Sequence, residues 1–381
     1  MNSKAPRVRY ETPVVKMAVE RKLVSPKQHQ QCRELVRKSR KIGLETTMEE
    51  VLVKQEFLTK EQLEELQEIS QLGEGGDFFG GHRLVKLIGQ GGMGKVYEAV
   101  HEYTSRRVAL KIFSTSFTGD ETNFARYFQE VRALAKLSHP NIVTLYDAAK
   151  GGRRYFFTME LVDGMSLSQY VEKNGRFTEQ HALSIIGETA KALAFSHNKN
   201  IIHRDVKPEN ILIDNTGKIK VTDFGVVMHR DDDHLTLTKQ GFMVGSVHFV
   251  SPEQIKGIRD LDGRSDIYSL GATLFFMLTG RPMYTGDCMQ NIIAKHTSAA
   301  WVSPKKYNRF ISLKTVRIMR KMMAKKREHR YQSMNEVIKA IDGSAALSKA
   351  IRLLLQILTG LFFVALGIAA EALFTITGLL S

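Results

Sequence analysis

Apolar residues recur along this chain of 381 residues with two different periods, and the change of period divides it. From Val15 to about Leu72 they fall at helical spacing. This stretch also repeats itself at an offset of 34: Ala18 to Gln28 lines up with Leu52 to Gln62. In each copy a short apolar helix ends and a hydroxyl residue, Ser25 or Thr59, opens the next. Gln28 and Gln62 follow three residues later, the pattern of two capping boxes, and Pro26 occupies the first helical position, where a missing N–H costs nothing. The expectation is a small four-helix module over 15–72. Residues 1–14 read as a flexible arm and 73–80 as a glycine-rich linker.

Beyond Gly81 the period shortens. Leu84 to Ile88 alternates like a strand, Val96 to Val100 reads as a second, and Val108 to Lys111 as a third. Helical spacing returns from Phe124 to Leu137, followed by strands at Tyr155 to Val162 and Lys218 to Thr222. A buried helix opens at Asp266. The last pattern has no period: Leu353 to Ala370 is 18 residues without a charge, and apolarity resumes from Ala372 to Leu380. The segment 353–380 is long enough to cross a bilayer as a helix.

Composition narrows the picture little. With 43% hydrophobic and 25% charged residues the chain can bury a core. Its two cysteines, Cys32 and Cys288, fit no disulfide framework and no metal spacing. The net charge of +15 would suit nucleic acid, an anionic membrane surface or acidic substrates. No zinc-ligand spacing or aromatic platform accompanies it, so nucleic acid is not an expected partner.

Chemistry concentrates in two places. Gly89-Gln90-Gly91-Gly92-Met93-Gly94-Lys95-Val96 lies between two strands, where glycines let backbone N–H groups approach phosphates. A dinucleotide site would run from such a loop into a helix instead. The second place is His203 to Asn210, between Ile201-Ile202 and Ile211-Leu212-Ile213. Here Asp205 can accept a proton from a hydroxyl, Lys207 can neutralise a transferring phosphoryl group, and Asn210 can hold a metal ion.

These eight residues closely resemble the catalytic loop of protein kinases, and with the glycine loop they identify the chain as similar to the eukaryotic-like (Hanks-type) serine/threonine kinases of bacteria. The resemblance covers roughly Gly81 to Asp342. It implies an α+β bilobal fold, with a small β-rich lobe and a large helical one. ATP and Mg²⁺ (or Mn²⁺) follow as cofactors, and protein Ser/Thr hydroxyls as acceptors. It further implies that Lys111 contacts the phosphates and that Glu130 holds Lys111, with Glu121 the other candidate. Glu160 and Val162 would offer backbone groups to adenine after a gatekeeper at Met159. Ile88, Val96, Ala109 and Leu212 would sandwich the ring. Asp223, in Asp223-Phe224-Gly225, would join Asn210 on the metal. Ser246, where threonine is commoner, keeps the hydroxyl expected to bridge Asp205 and Lys207; Phe249 replaces a usual tyrosine. Asp266 would hold the catalytic loop's backbone, and Arg330 would pair with Glu253. Arg204, beside Asp205, calls for a phosphate on the activation segment, with Thr238 the favoured site and Thr236 the second. Autophosphorylation would then proceed between transiently paired copies.

Lys349 and Arg352 flank the apolar tail on one side and nothing basic follows, so the positive-inside rule places a kinase domain in the cytoplasm on a single-pass anchor in membrane lipid, joined by the basic linker 343–352. The alternative is a helix docked on the large lobe. The module 15–72 reads as a docking element for a partner or for the kinase itself. Two rival functions remain at this stage: a nucleotide-binding pseudokinase scaffold, and a protein whose chief role is docking through that module.

Overall fold

The 34-residue repeat persists down to single hydrogen bonds in the computed structural model. Helices α1 (Pro13–Glu20) and α3 (Met48–Lys54) each end in a turn whose non-glycine residue is left-handed, Lys22 at φ 57° and Glu56 at φ 56°. Such a conformation costs energy for a residue with a Cβ, so the same turn used twice marks a shared design. The N–H groups of Leu23 and Val24 donate to the Ala18 carbonyl, and those of Phe57 and Leu58 donate to the Leu52 carbonyl. The next helices, α2 (Pro26–Lys41) and α4 (Lys60–Leu72), start from the two expected caps. Ser25 and Gln28 cap each other reciprocally, and so do Thr59 and Gln62. Equivalent side chains are buried at the same offset: Ala18 with Leu52, Val24 with Leu58, Cys32 with Leu66.

The structure describes residues 12–42, 44, 46–72, 78–91, 94–114, 137–151, 154–224, 246–258 and 260–343. They fall into two units, 1–136 with 144–161 and 137–143 with 162–381. In the first unit, the module is followed by a six-stranded antiparallel sheet. Its strands are β1 (Phe78–Phe79), β2 (His82–Gly91), β3 (Gly94–His101), β4 (Arg107–Phe113), β5 (Leu145–Gly151) and β6 (Arg154–Glu160), in the order β1-β2-β3-β4-β6-β5.

Strand β4 is buried from Val108 to Phe113 without alternation, because both faces of the sheet are covered. Register separates the faces. Leu110 pairs with Tyr97 and Thr158, while Lys111 pairs with Val96 and Phe157. The Leu110 face, with Leu84, Tyr97, Ala99, Val108, Ile112 and Phe156, forms one apolar cluster with Val15, Leu52, Leu58 and Leu66 of the module. Arg21 adds a hydrogen bond of 2.7 Å from its guanidinium to the Leu84 carbonyl. The expected docking element is therefore packed on the chain's own sheet. Lys111 stands mid-strand on the opposite face.

The second unit is mainly helical around a three-stranded sheet, β7 (Gly164–Ser166), β8 (Ile211–Asp214) and β9 (Ile219–Val221). After β7 come α5 (Leu167–Asn174) and α6 (Glu179–His197), and after β9 come α7 (Pro252–Ile255), α8 (Arg264–Thr279), α9 (Met289–Ser298) and α10 (Leu313–Met322). Helix α8 buries thirteen of its sixteen residues, so it is a core helix with no solvent face. Arg330 is sealed against it. Its guanidinium donates to both Glu253 carboxylate oxygens at 2.6 and 2.8 Å and to the carbonyls of Ala324 and Arg264. Among the described residues no helix is long and apolar enough to cross a membrane, and the segment 353–381 lies outside them.

Candidate active site

In the first unit β2 and β3 form the hairpin that carries the glycine loop, with Gly89 opposite Val96, Gln90 opposite Lys95 and Gly91 opposite Gly94. Gly94 has φ +151°, and a Cβ there would lie 2.1 Å from the Ile112 carbonyl oxygen, so no other residue fits this crossing of β4. Gly92 and Met93 lie outside the described residues. Lys111 is 6% exposed, and its ammonium lies 5.9 Å from the Phe113 ring centroid. A lysine so buried is held for a purpose other than solubility, because desolvating an ammonium is costly. Ala109 and Met159 are buried on the same face, Val96 is half-buried, and Ile88 is 41% exposed. The Glu160 N–H donates to the Thr144 carbonyl at 2.8 Å, so a contact from its backbone to a base has to use its carbonyl. Glu121 and Glu130, the carboxylates expected to hold Lys111, lie outside the described residues.

The second unit brings the catalytic-loop side chains together. The Lys207 ammonium donates to the Asp205 carboxylate at 2.7 Å, and the Asn210 amide donates to the same carboxylate oxygen at 3.0 Å and to the Asp205 carbonyl at 2.8 Å. Asp205 and Lys207 keep 19% and 16% of their side chains exposed, enough for a reactant to reach them. With its NH₂ spent on Asp205, Asn210 has its amide oxygen as the atom that would meet a cation. Asp223, at φ 62°, supplies a carboxylate. Among the described residues no three His, Cys, Asp or Glu side chains cluster as a metal cage. One carboxylate and one amide oxygen suit a hard ion that keeps water and phosphate in its remaining positions, which fits Mg²⁺ or Mn²⁺. Leu212 and Val162 are half-buried in this unit.

The loop is fixed from below by Asp266 in α8. Its carboxylate accepts the backbone N–H of His203 and of Arg204, both at 2.9 Å, and a contact from His197 Nε2 at 2.8 Å. Burial opposes charge on Asp266, yet the His197 hydrogen bond and the neighbouring imidazoles outweigh it and hold the carboxyl below its usual range. His203 Nδ1 accepts the Asp205 N–H at 3.2 Å, so its Nε2 carries the proton that goes to the Thr222 carbonyl, 2.9 Å away. Arg204 sits at φ 67°, and its carbonyl accepts from the Gln254 amide at 2.7 Å. A single helix residue and one glutamine thus set the backbone that leads into Asp205.

No role was legible in the sequence for His197 or for Gln254. Gln254 follows Ser-Pro-Glu directly, and its fit to a capping box with Ser251 was the available signal; the box forms, and the amide NH₂ reaches Arg204 as well. His197 carried none, since its partner lies 69 residues away. Gly263 belongs to the same set, because a Cβ there would strike the His197 ring at 2.5 Å. The side chain of Ser246 and all of Thr236 and Thr238 lie outside the described residues.

The family model described as the protein kinase domain matches residues 82–340. Over 258 residues the chain is 38% identical to the serine/threonine-protein kinase PrkC of Bacillus subtilis, covering 68% of this chain and 39% of that one. It is 35% identical over 260 residues to PknB of Mycobacterium tuberculosis, covering 67% and 41%. The chain thus spans about two-fifths of the length of these relatives. The crystal structure of the Mycobacterium tuberculosis PknI kinase domain aligns with a TM-score of 0.57 at 23% identity, over 70% of this chain and 97% of that one, a likeness of fold.

Proposed function

From the premise that the chain belongs to the protein kinase domain family, among relatives that are bacterial serine/threonine kinases, we propose that it transfers the γ-phosphoryl group of ATP to serine and threonine hydroxyls of proteins. The observation that carries this is the Asp205 carboxylate held by Lys207 at 2.7 Å and by Asn210 at 3.0 Å on one loop. Asp205 accepts the acceptor hydroxyl's hydrogen bond and orients its oxygen for in-line attack. Lys207 then shifts toward the charge that develops on the moving phosphoryl oxygens. Lys111 and the glycine hairpin hold the phosphates of ATP. Asp223 and the Asn210 carbonyl would hold Mg²⁺ or Mn²⁺, which supplies charge neutralisation between the phosphates. Purified protein with ATP and a generic acceptor is expected to release ADP. Asp205→Asn is expected to bind ATP and lose transfer by about 10²–10³-fold, the usual cost of one such group. Parent-like turnover by that variant would remove Asp205 from its role, and a parent that binds ATP without turnover would leave a pseudokinase.

Two finer readings belong to the proposal. The uncharged run 353–370, after Lys349 and Arg352, supports a single-pass membrane anchor with the kinase domain cytoplasmic. A full-length protein washed from membranes by alkaline carbonate would exclude it. Arg204, pinned by its backbone beside Asp205, supports control by a phosphate on Thr238, or secondarily Thr236, added between paired copies. Thr238→Ala is expected to lower activity more than Thr236→Ala. Full activity in a protein whose intact mass shows no phosphate on 234–244 would exclude the switch. For the module, packing on the sheet supports a role inside the kinase, and a pull-down with the full chain would reveal any outside partner.

A further inference from the structure

Between Asp287 and Glu328 the sequence holds eleven lysines and arginines and no acidic residue. The second unit gathers a part of that run onto one surface. The loop before α10 exposes Phe310 at 74% and the first residue of α10, Leu313, at 61%, while Thr315, Ile318, Met319 and Met322 turn the other side of the helix inward. Cations surround the apolar pair: Lys306, Arg309 and Arg317 are exposed, and Lys314 is half-buried. Among the described residues none of these four forms an ion pair. The Arg309 guanidinium lies 5.0 Å from the Phe310 ring centroid, presenting a charge and an apolar ring together. Glu179 has both carboxylate oxygens engaged by Ser312, from its N–H at 3.0 Å and its hydroxyl at 2.5 Å.

Two exposed apolar side chains amid unpaired cations match a surface that meets anionic lipid headgroups. The apolar tips enter at headgroup depth and the cations meet phosphates. Where the chain goes next agrees. The Lys314 ammonium donates to the Gly343 carbonyl at 2.7 Å, so the described chain ends against this patch. The uncharged run begins at Leu353, ten residues on, within about 35 Å even for a fully extended chain. We infer that the face built by Lys306, Arg309, Phe310, Leu313, Lys314 and Arg317 lies on an anionic bilayer surface and sets how the large lobe is oriented on the membrane. This rests on the membrane-anchor reading only for how the protein reaches the bilayer.

The test uses the full chain with vesicles of phosphatidylcholine alone and with vesicles containing phosphatidylglycerol. Phe310→Cys carries an environment-sensitive fluorophore, in a background of Cys288→Ser because Cys288 is exposed and Cys32 buried. Flotation reports the anchor. Quenching of the fluorophore by brominated lipid, and amide-exchange protection over 305–317, report the surface. Flotation with both vesicles, with quenching and protection only on the anionic ones, is expected. The triple change Lys306→Glu, Arg309→Glu and Arg317→Glu should abolish quenching and protection while flotation persists. Each lost cation is worth about a fivefold fall in surface partitioning. Flotation with no quenching or protection on anionic vesicles would overturn the inference and leave the anchor standing. Association with anionic vesicles alone would remove the anchor and keep the surface. Equal quenching on both vesicles would overturn recognition by charge. Protection by polyglutamate but not by vesicles would overturn it in favour of an acidic protein.

Discussion

Leu110 and Lys111 are neighbours in one strand, yet they belong to different kinds of surface. Leu110 faces the helical module, inside a cluster of buried hydrophobic side chains. Lys111 faces the other way, buried to a similar degree but carrying a charge. The module face is closed by apolar packing and by the hydrogen bond from Arg21 to the Leu84 carbonyl. The Lys111 face carries the cost of a desolvated ammonium, which a face built only for packing does not. Equal burial with unequal polarity is thus what separates a structural face of this sheet from a working one.

The sharpest way to break that comparison is to exchange the effects. Lys111→Met should lower phosphoryl transfer by about 10²–10³-fold with little change in melting temperature. A large loss of stability instead would make Lys111 a structural residue. Leu110→Ala should do the opposite, costing about 2–5 kcal/mol of stability in denaturant titration while the molecules that remain folded turn over like the parent. Leu52→Ala approaches the same cluster from the module's side and should cost a similar amount, in one cooperative transition for module and sheet. A separate early melting of the module would show that the two do not share a core. The smallest effect is expected from Arg21→Ala, about 1 kcal/mol for the hydrogen bond to the Leu84 carbonyl. No change there would leave the apolar cluster as the sole link.

Much of this was legible because it is local. The capping pairs Ser25–Gln28 and Thr59–Gln62 span three residues each, and the Asp205, Lys207 and Asn210 side chains meet within a single loop. Val108 to Lys111 was legible as a strand, but the burial of both its sides, and what covers them, was not. Its cover comes from residues some sixty positions earlier, and no period in either segment encodes that pairing. The same distance hid His197, whose contact with Asp266 is made only once α6 and α8 have packed. Asp266 itself was reached through family likeness, since a carboxylate in an apolar helix gives no hint of which backbone it will hold. The roles expected of Glu130, Thr236 and Thr238 lie outside the described residues.

The shared cluster also has a consequence in time. The ribosome makes α1 to α4 before the sheet, and β4, which gives their cover Val108, Leu110 and Ile112, ends about forty residues after Leu72. At roughly 5–20 residues per second, that leaves the module's apolar side without its own sheet for roughly 2–8 seconds. During that interval a nascent chain of this kind is a client for any factor that shields apolar helices. Its yield in a foreign host should therefore depend on how quickly codons 73–113 are read.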